Sequence, residues 1–243
     1  MPPAAIVTGV SRGLGAALGR ELLERGFTVL GVGRSSNRAL DGDRYRFVPF
    51  DLADSAHIDT RLGPAFEALK EDSPESVCLV NNAATLEPFG TLGQLGAHDI
   101  ARAFAVNLTA SVGLANLFCR VFSDEELSRR VVNVSSGAAE RALPGEALYC
   151  VAKAGIEMLT QALAAEQQAP SFRAVTIRPG VIDTDMQVSL RSQTPEVLPS
   201  VDLFKGFHRE GRLVPPEVVA SKIVASLVVG AVEHGRTYSY QEL

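Results

Sequence analysis

Ala4-Ala5-Ile6-Val7-Thr8-Gly9-Val10-Ser11-Arg12-Gly13-Leu14-Gly15 opens the chain. The first five residues are a short apolar run of buried-strand type. The glycines form a turn, and Leu14, Leu18 and Leu22 then share one face of a helix. Glycines at such a strand-to-helix turn let the backbone approach a pyrophosphate. The helix start offers free N–H groups and the positive end of its dipole. The spacing here is Gly-x3-Gly-x-Gly, a departure from the common Gly-x-Gly-x-x-Gly form.

The same alternation continues outward. Gly26 ends the first helix, and Thr28–Gly33, Arg46–Phe50, Val77–Asn81, Arg130–Ser135, Phe172–Arg178 and Thr237–Tyr240 read as further strands. Ile58, Leu62, Phe66 and Leu69 mark one intervening helix. Long helices are expected over 97–122 and 147–168, and another opens at Pro215-Pro216 and runs to about Val229. Continuous apolar strands alternating with helices imply an α/β fold: a single doubly wound domain, residues 1–243, with a parallel sheet covered on both faces. Residues 183–214 break the rhythm. They carry Leu190, Leu198, Leu203, Phe204 and Phe207 among charges, and a segment of this length is either a substrate lid or a surface hairpin without a role.

Of 243 residues, 46% are hydrophobic and 21% charged, enough for one core. A net charge of −5 with scattered arginines gives no basic field for nucleic acid or an anionic membrane. No leader-like segment and no run of transmembrane length is read, so the expectation is a cytoplasmic protein with reduced thiols. Cys78 and Cys119 read as small core residues. Cys150, beside Tyr149, is a conceivable reactive thiol. His57, His98, His208 and His234 are isolated from one another, and no metal site is expected.

In a doubly wound sheet the ligand lies beyond the carboxyl ends of the strands. The second strand ends Val32-Gly33-Arg34-Ser35-Ser36 without the acid that would accept from a ribose 2′-hydroxyl. Arg34 and Arg12 can instead reach a 2′-phosphate, so NADP(H) is the expected cofactor. Asp51 after the third strand either accepts from the adenine amino group or caps the next helix. Asn81-Asn82-Ala83-Ala84 ends the fourth strand. Its small residues permit close approach to adenosine, and its asparagines alternatively tie down the turn.

Tyr149 and Lys153 stand four apart on one helix face, and Ser136 lies thirteen before the tyrosine at the exit of the fifth strand. A phenol is a poor proton-transfer group at neutral pH unless its ionised form is stabilised, which an ammonium can do. The Ser136 hydroxyl can hold a carbonyl while Tyr149 protonates it; capping or turn bonding better suits Ser135. Asn107 sits mid-helix, where its amide either holds a water linked to Lys153 or makes an interior hydrogen bond.

Thr8-Gly9-x3-Gly13-x-Gly15, Asn81-Asn82-Ala83-Ala84, Asn107, Ser136, Tyr149-x3-Lys153 and Pro179-Gly180 together resemble the motif series of the short-chain dehydrogenases/reductases over essentially the whole chain. The one departure in that series is Ala84, where glycine is usual. The resemblance implies a Rossmann-type sheet of about seven strands in the order 3-2-1-4-5-6-7, and a homodimer or homotetramer. It implies that Ser136 orients substrate, Tyr149 is the acid/base, Lys153 lowers its pKa and binds the nicotinamide ribose, and Asn107 supports a proton relay. The cofactor residues it implies are Thr8, Gly9, Ser11, Arg12, Gly13, Leu14, Gly15, Arg34, Asp51, Leu52, Asn82, Ala83, Tyr149, Lys153, Pro179, Val181 and Thr184.

Within the family, Asp183-Thr184-Asp185-Met186-Gln187 and the run from Phe204-Lys205 to Val214 look like sepiapterin and benzil reductases. Sepiapterin reductases hold an acid near the C-terminus for the pterin amino group. The matching position here is Ser239, with Glu242 out of register, which favours a bulky, less polar dicarbonyl. The expected activity is thus an NADPH-dependent carbonyl reductase acting on a small-molecule ketone. Its rivals are a 3-oxoacyl-thioester reductase, another short-chain alcohol dehydrogenase, and a cofactor-binding sensor without catalysis.

Overall fold

A computed structural model describes residues 1–243. Seven strands form one wholly parallel sheet: β1 (Ala4–Thr8), β2 (Thr28–Gly33), β3 (Tyr45–Pro49), β4 (Ser76–Asn81), β5 (Ser128–Val134), β6 (Phe172–Arg178) and β7 (Thr237–Ser239). Their order is β3-β2-β1-β4-β5-β6-β7, as expected from the sequence. The helices are α1 (Gly13–Glu24), α2 (Ile58–Glu71), α3 (Ala97–Phe104), α4 (Ala110–Val121), α5 (Ala147–Glu166), α6 (Asp185–Arg191), α7 (Val201–Arg209) and α8 (Pro216–Ile223).

Side chains alternate across a strand, and β1 shows why the sheet needs cover on both sides. Ala4 and Ile6 enter a core with Leu62 and Phe66 of α2 and Leu114 and Phe118 of α4. Ala5 and Val7 enter a second core with Leu18 and Leu22 of α1 and Val219 and Ile223 of α8. A smaller third cluster of Leu190, Leu198, Val201, Phe204 and Phe207 gives residues 183–214 a packed interior built on α6 and α7.

Two expectations are revised. Strand β5 starts at Ser128 rather than Arg130, because its arginines are satisfied by main-chain carbonyls. Arg129 donates to Phe122 O at 3.0 Å, and Arg130 donates to the carbonyls of Leu227, Val228 and Gly230. The second concerns the helix expected over 97–122. Helices α3 and α4 join through a π-type turn at Ala105–Thr109, giving 25 continuous residues apolar enough to cross a membrane by length and composition. Its apolar stripe of Ala110, Leu114, Leu117, Phe118 and Val121 is buried in the first core.

A buried polar chain seats α5 on the sheet. Asn81 Nδ2 donates to Asn133 Oδ1 at 2.9 Å, Asn133 Nδ2 donates to Thr160 Oγ1 at 2.8 Å, and Thr160 and Thr176 share a hydroxyl hydrogen bond at 2.6 Å. Thr160 is fully buried. Thr160→Val strands the Asn133 amide and the Thr176 hydroxyl away from water, and each orphaned group costs about 1–3 kcal/mol. The denaturation midpoint of the variant is expected to fall accordingly; an unchanged midpoint would mean the chain contributes nothing.

Candidate active site

The carboxyl ends of β1, β2, β4, β5 and β6 open on a cleft of about 1010 Å³. At one end, Gly9 and Gly13 adopt φ of +75° and +57°, a region that favours glycine. Helix α1 begins at Gly13 with Arg12 before it, no side-chain cap, and no acid in the first turn. Its leading N–H groups are therefore available to an anion, which the bare glycine backbone lets approach. Ser11, Leu14 and Gly15 also line the cleft. The residues present thus fit the diphosphate of a dinucleotide.

Thr8 has another task. Its hydroxyl accepts from Asn82 N and Ala83 N, both at 3.0 Å, and donates to Val80 O at 3.4 Å. Asn82 Nδ2 returns a bond to Thr8 O at 2.8 Å. Thr8 lies outside the cleft wall and stitches the β1 exit to the β4 exit, holding Asn82 and Ala83 where they line the cleft.

At the β2 exit, Arg34, Ser35 and Ser36 line the cleft beside Asp51 and Leu52. Asp51 accepts from Ala53 N at 3.0 Å and from Arg102 at 3.0 Å. The Ala53 hydrogen bond first, then Arg102 and the Arg34 charge, hold its carboxyl below the usual range against the effect of partial burial. Asp51 therefore does not cap the next helix, whose N-cap position is His57; its carboxylate instead closes the turn at Ala53. Arg12 pairs with Asp185 at 3.1 Å across the cleft mouth, and both side chains are exposed. Such a pair is worth about 1 kcal/mol or less and is easily exchanged for a phosphate.

At the other end, Ser136, Tyr149 and Lys153 line one wall. Tyr149 and Lys153 are brought together by the pitch of α5, the ammonium lying 5.5 Å from the phenol ring centroid. Lys153 is 3% exposed and donates to Val134 O at 2.7 Å, so the end of β5 fixes its position. Burial lowers its pKa to about 8. Burial also pushes Tyr149 well above the ordinary phenol range; the nearby Glu146 adds to this, and a hydrogen bond with Ser136 opposes it. In the protein alone Tyr149 is thus a firmly protonated phenol, the form a proton donor to a carbonyl requires.

The cap expected of Ser135 is made by Ser136. Ser136 Oγ accepts from Ala138 N at 3.2 Å and caps a short 3₁₀ turn, while facing Tyr149. Ser135 donates to Glu157 at 2.8 Å and to Lys153 O at 3.3 Å, tying β5 to α5. Asn107 is buried in the π-type turn. Its amide accepts from Thr85 N at 2.7 Å and donates to Thr85 O at 2.8 Å, so the interior hydrogen bond is the role seen. It anchors the loop after β4 and does not itself line the cleft.

Pro179 and Thr184 line the cleft, whereas Val181 packs into the third cluster and Ile182 lines the cleft in its place. Met186, Gln187, Ser189 and Leu190 bring α6 to the cleft as well. Ser239 and Glu242 are spent on each other. The Ser239 hydroxyl donates to Glu242 Oε2 at 2.7 Å, and neither residue reaches the cleft. Burial raises the Cys150 thiol, which disfavours the reactive thiolate considered for it, and the Cys78 thiol is pushed up to about 12. Sequence reasoning missed Glu146 and Gln187. Both are buried in the cleft wall, each with an oxygen lacking a hydrogen-bond partner.

Comparison with known proteins adds the following. The family described as short chain dehydrogenase matches residues 3–195. A benzil reductase, (S)-benzoin forming, of Bacillus cereus is 33% identical, the match covering 90% of this chain and 91% of the relative. A sepiapterin reductase of Bos taurus is 32% identical over 95% of this chain and 91% of the relative. Among solved structures, the KRED1-Pglu enzyme superposes with a TM-score of 0.84 at 27% identity, covering 97% of this chain and all of the other.

Proposed function

The chain belongs to the short-chain dehydrogenase family, and from that premise we propose that it is an NADPH-dependent carbonyl reductase for bulky ketones and dicarbonyls of the benzil type. It is an oxidoreductase of carbonyl and alcohol groups using a nicotinamide cofactor. The observation that carries the carbonyl-reductase reading is the convergence of Ser136, Tyr149 and Lys153 on the same cleft as the glycine cradle.

Bound cofactor supplies the hydride. Gly9 to Gly15 and the α1 N-terminus hold its diphosphate, while Lys153 and Thr184 hold the nicotinamide end. Ser136 donates a hydrogen bond to the substrate carbonyl oxygen and Tyr149 transfers its phenolic proton to that oxygen. Leu86, Val106, Leu143, Met186 and Leu190 line the same cleft and favour an apolar substrate body. Residues 183–214 serve as the substrate lid. Val112 on α4 and Val151 and Met158 on α5 are exposed apolar side chains, which supports a homodimer or homotetramer formed through those helices.

The preference for NADPH rests on Arg34, Arg12 and the absence of an acid at the end of β2. Arg34→Ala removes a forked cation worth about 1.5–3 kcal/mol to a phosphate. The KM for NADPH is expected to rise roughly tenfold or more, with that for NADH little changed. A wild-type preference for NADH would overturn the cofactor assignment. A panel of benzil, sepiapterin and an acetoacetyl thioester, followed by NADPH oxidation, tests the substrate reading; turnover confined to the thioester would overturn it.

A further inference from the structure

Glu146 is the residue just before α5, three positions ahead of Tyr149 and so on the same side of the helix end. Its main chain is fully used: N–H donates to Leu143 O at 3.0 Å, and its carbonyl accepts from Cys150 N at 3.0 Å. Its side chain does not cap the helix. The residue is 3% exposed, it lines the cleft, and Oε2 is buried without a hydrogen-bond partner. A buried carboxyl with an unpartnered oxygen is costly to keep ionised.

We propose that Glu146 selects vicinal dicarbonyl substrates by hydrogen-bonding the second carbonyl oxygen while Ser136 and Tyr149 hold the first. The proposal rests on the carbonyl-reductase reading above and deepens it. A carbonyl only accepts, so Glu146 must act as a neutral acid and donate its O–H. Its surroundings allow this. Burial alone raises its pKa to about 7, and Leu143, Leu86 and Val106 of the cleft wall offer no countercharge. The titratable groups that it faces are Tyr149 and Cys150 of α5; Lys153, Glu87 and Asp185 line the same cleft, and Arg141 ahead of α5 acts on Cys150. An ionised Glu146 would repel the second oxygen that the neutral acid binds.

Benzil and deoxybenzoin share two phenyl groups and one ketone, and differ in the second carbonyl. Their kcat/KM values with NADPH, measured for wild type, Glu146→Leu and Glu146→Gln, form the test. Glu146→Leu is expected to lower benzil reduction at least tenfold more than deoxybenzoin reduction. Glu146→Gln keeps an N–H donor of the same reach and restores the preference. In wild type the benzil-to-deoxybenzoin ratio falls several-fold from about pH 6 to about pH 8, whereas in Glu146→Gln it stays flat. Tyr149 and Lys153 serve both substrates, so their titration cancels in the ratio. Equal losses on both ketones in Glu146→Leu, or a wild-type ratio indifferent to pH, would overturn the proposal while leaving the carbonyl-reductase reading intact. Wild-type enzyme inert toward both ketones but active on a thioester would overturn both.

Discussion

Tyr149→Phe is expected to lower kcat for carbonyl reduction by about 10²–10⁴-fold, the usual contribution of a positioned general acid. The substitution keeps the ring that packs beside Lys153 and removes only the hydroxyl facing Ser136. Neither Lys153 nor Ser136 is suited to replace it. Lys153 donates to Val134 O, and the Ser136 hydroxyl is a far weaker acid than a phenol. The carboxyl of Glu146 is the nearest alternative acid, so the double variant Tyr149→Phe/Glu146→Gln distinguishes residual turnover routed through it from uncatalysed hydride transfer. NADPH binding, followed by quenching or enhancement of its fluorescence, should stay within about twofold of wild type, because the glycine cradle lies at the opposite end of the cleft. Retained turnover in Tyr149→Phe would disprove the assignment of the proton donor. Loss of cofactor binding would mean that the phenol has a structural role in the site.

Most strand limits are legible in the sequence for a definite reason, whereas the sheet order comes from the family resemblance. Strands buried on both faces must be apolar throughout, so Ile6-Val7 and Leu79-Val80 announce themselves without any knowledge of their neighbours. What escapes the sequence depends on partners far along the chain. The extra residues of β5, Ser128 and Arg129, are polar by composition, yet Arg129 is buried and donates to Phe122 O and to Ser171 Oγ, the latter 42 residues away. Thr8 reads as part of the phosphate loop, and only the fold shows its hydroxyl engaged by Asn82 and Ala83. Asn107 reads as free to hold a water because Thr85, which takes up its amide, lies on a separate segment. Glu146 is the sharpest case. Beside a helix start a glutamate looks like an ordinary surface residue, and only the closing of Leu143 and α5 around it makes it a buried acid.

The glycine cradle makes the second strong prediction, and here helix propensity and packing disagree. Gly15 lies inside α1 without a positive φ, so replacing it by alanine would ordinarily favour the helix by about 1 kcal/mol. A Cβ at Gly15, however, would stand 2.2 Å from Gly9 O and 2.5 Å from Asn82 Nδ2. Neither atom can retreat cheaply. Gly9 N donates to Val32 O at 2.8 Å, and Asn82 Nδ2 is held by Thr8 O. Relief must come from moving α1 away from the β1 exit, which opens the anion cradle and loosens Leu14 and Leu18 from the second core. Overpacking of this kind costs about 1–3 kcal/mol or more. Gly15→Ala is therefore expected to lower the melting temperature by several degrees and to weaken NADPH binding at least about tenfold. Gly206 in α7 supplies the contrast: its added Cβ would meet only side-chain ends at 3.7 Å and 3.9 Å. There propensity should prevail, and Gly206→Ala should leave cofactor affinity unchanged while raising stability by up to about 1 kcal/mol. If both variants melt and bind like wild type, close backbone packing does not hold the cradle in shape, and the dinucleotide-binding reading of the first turn loses its strongest support.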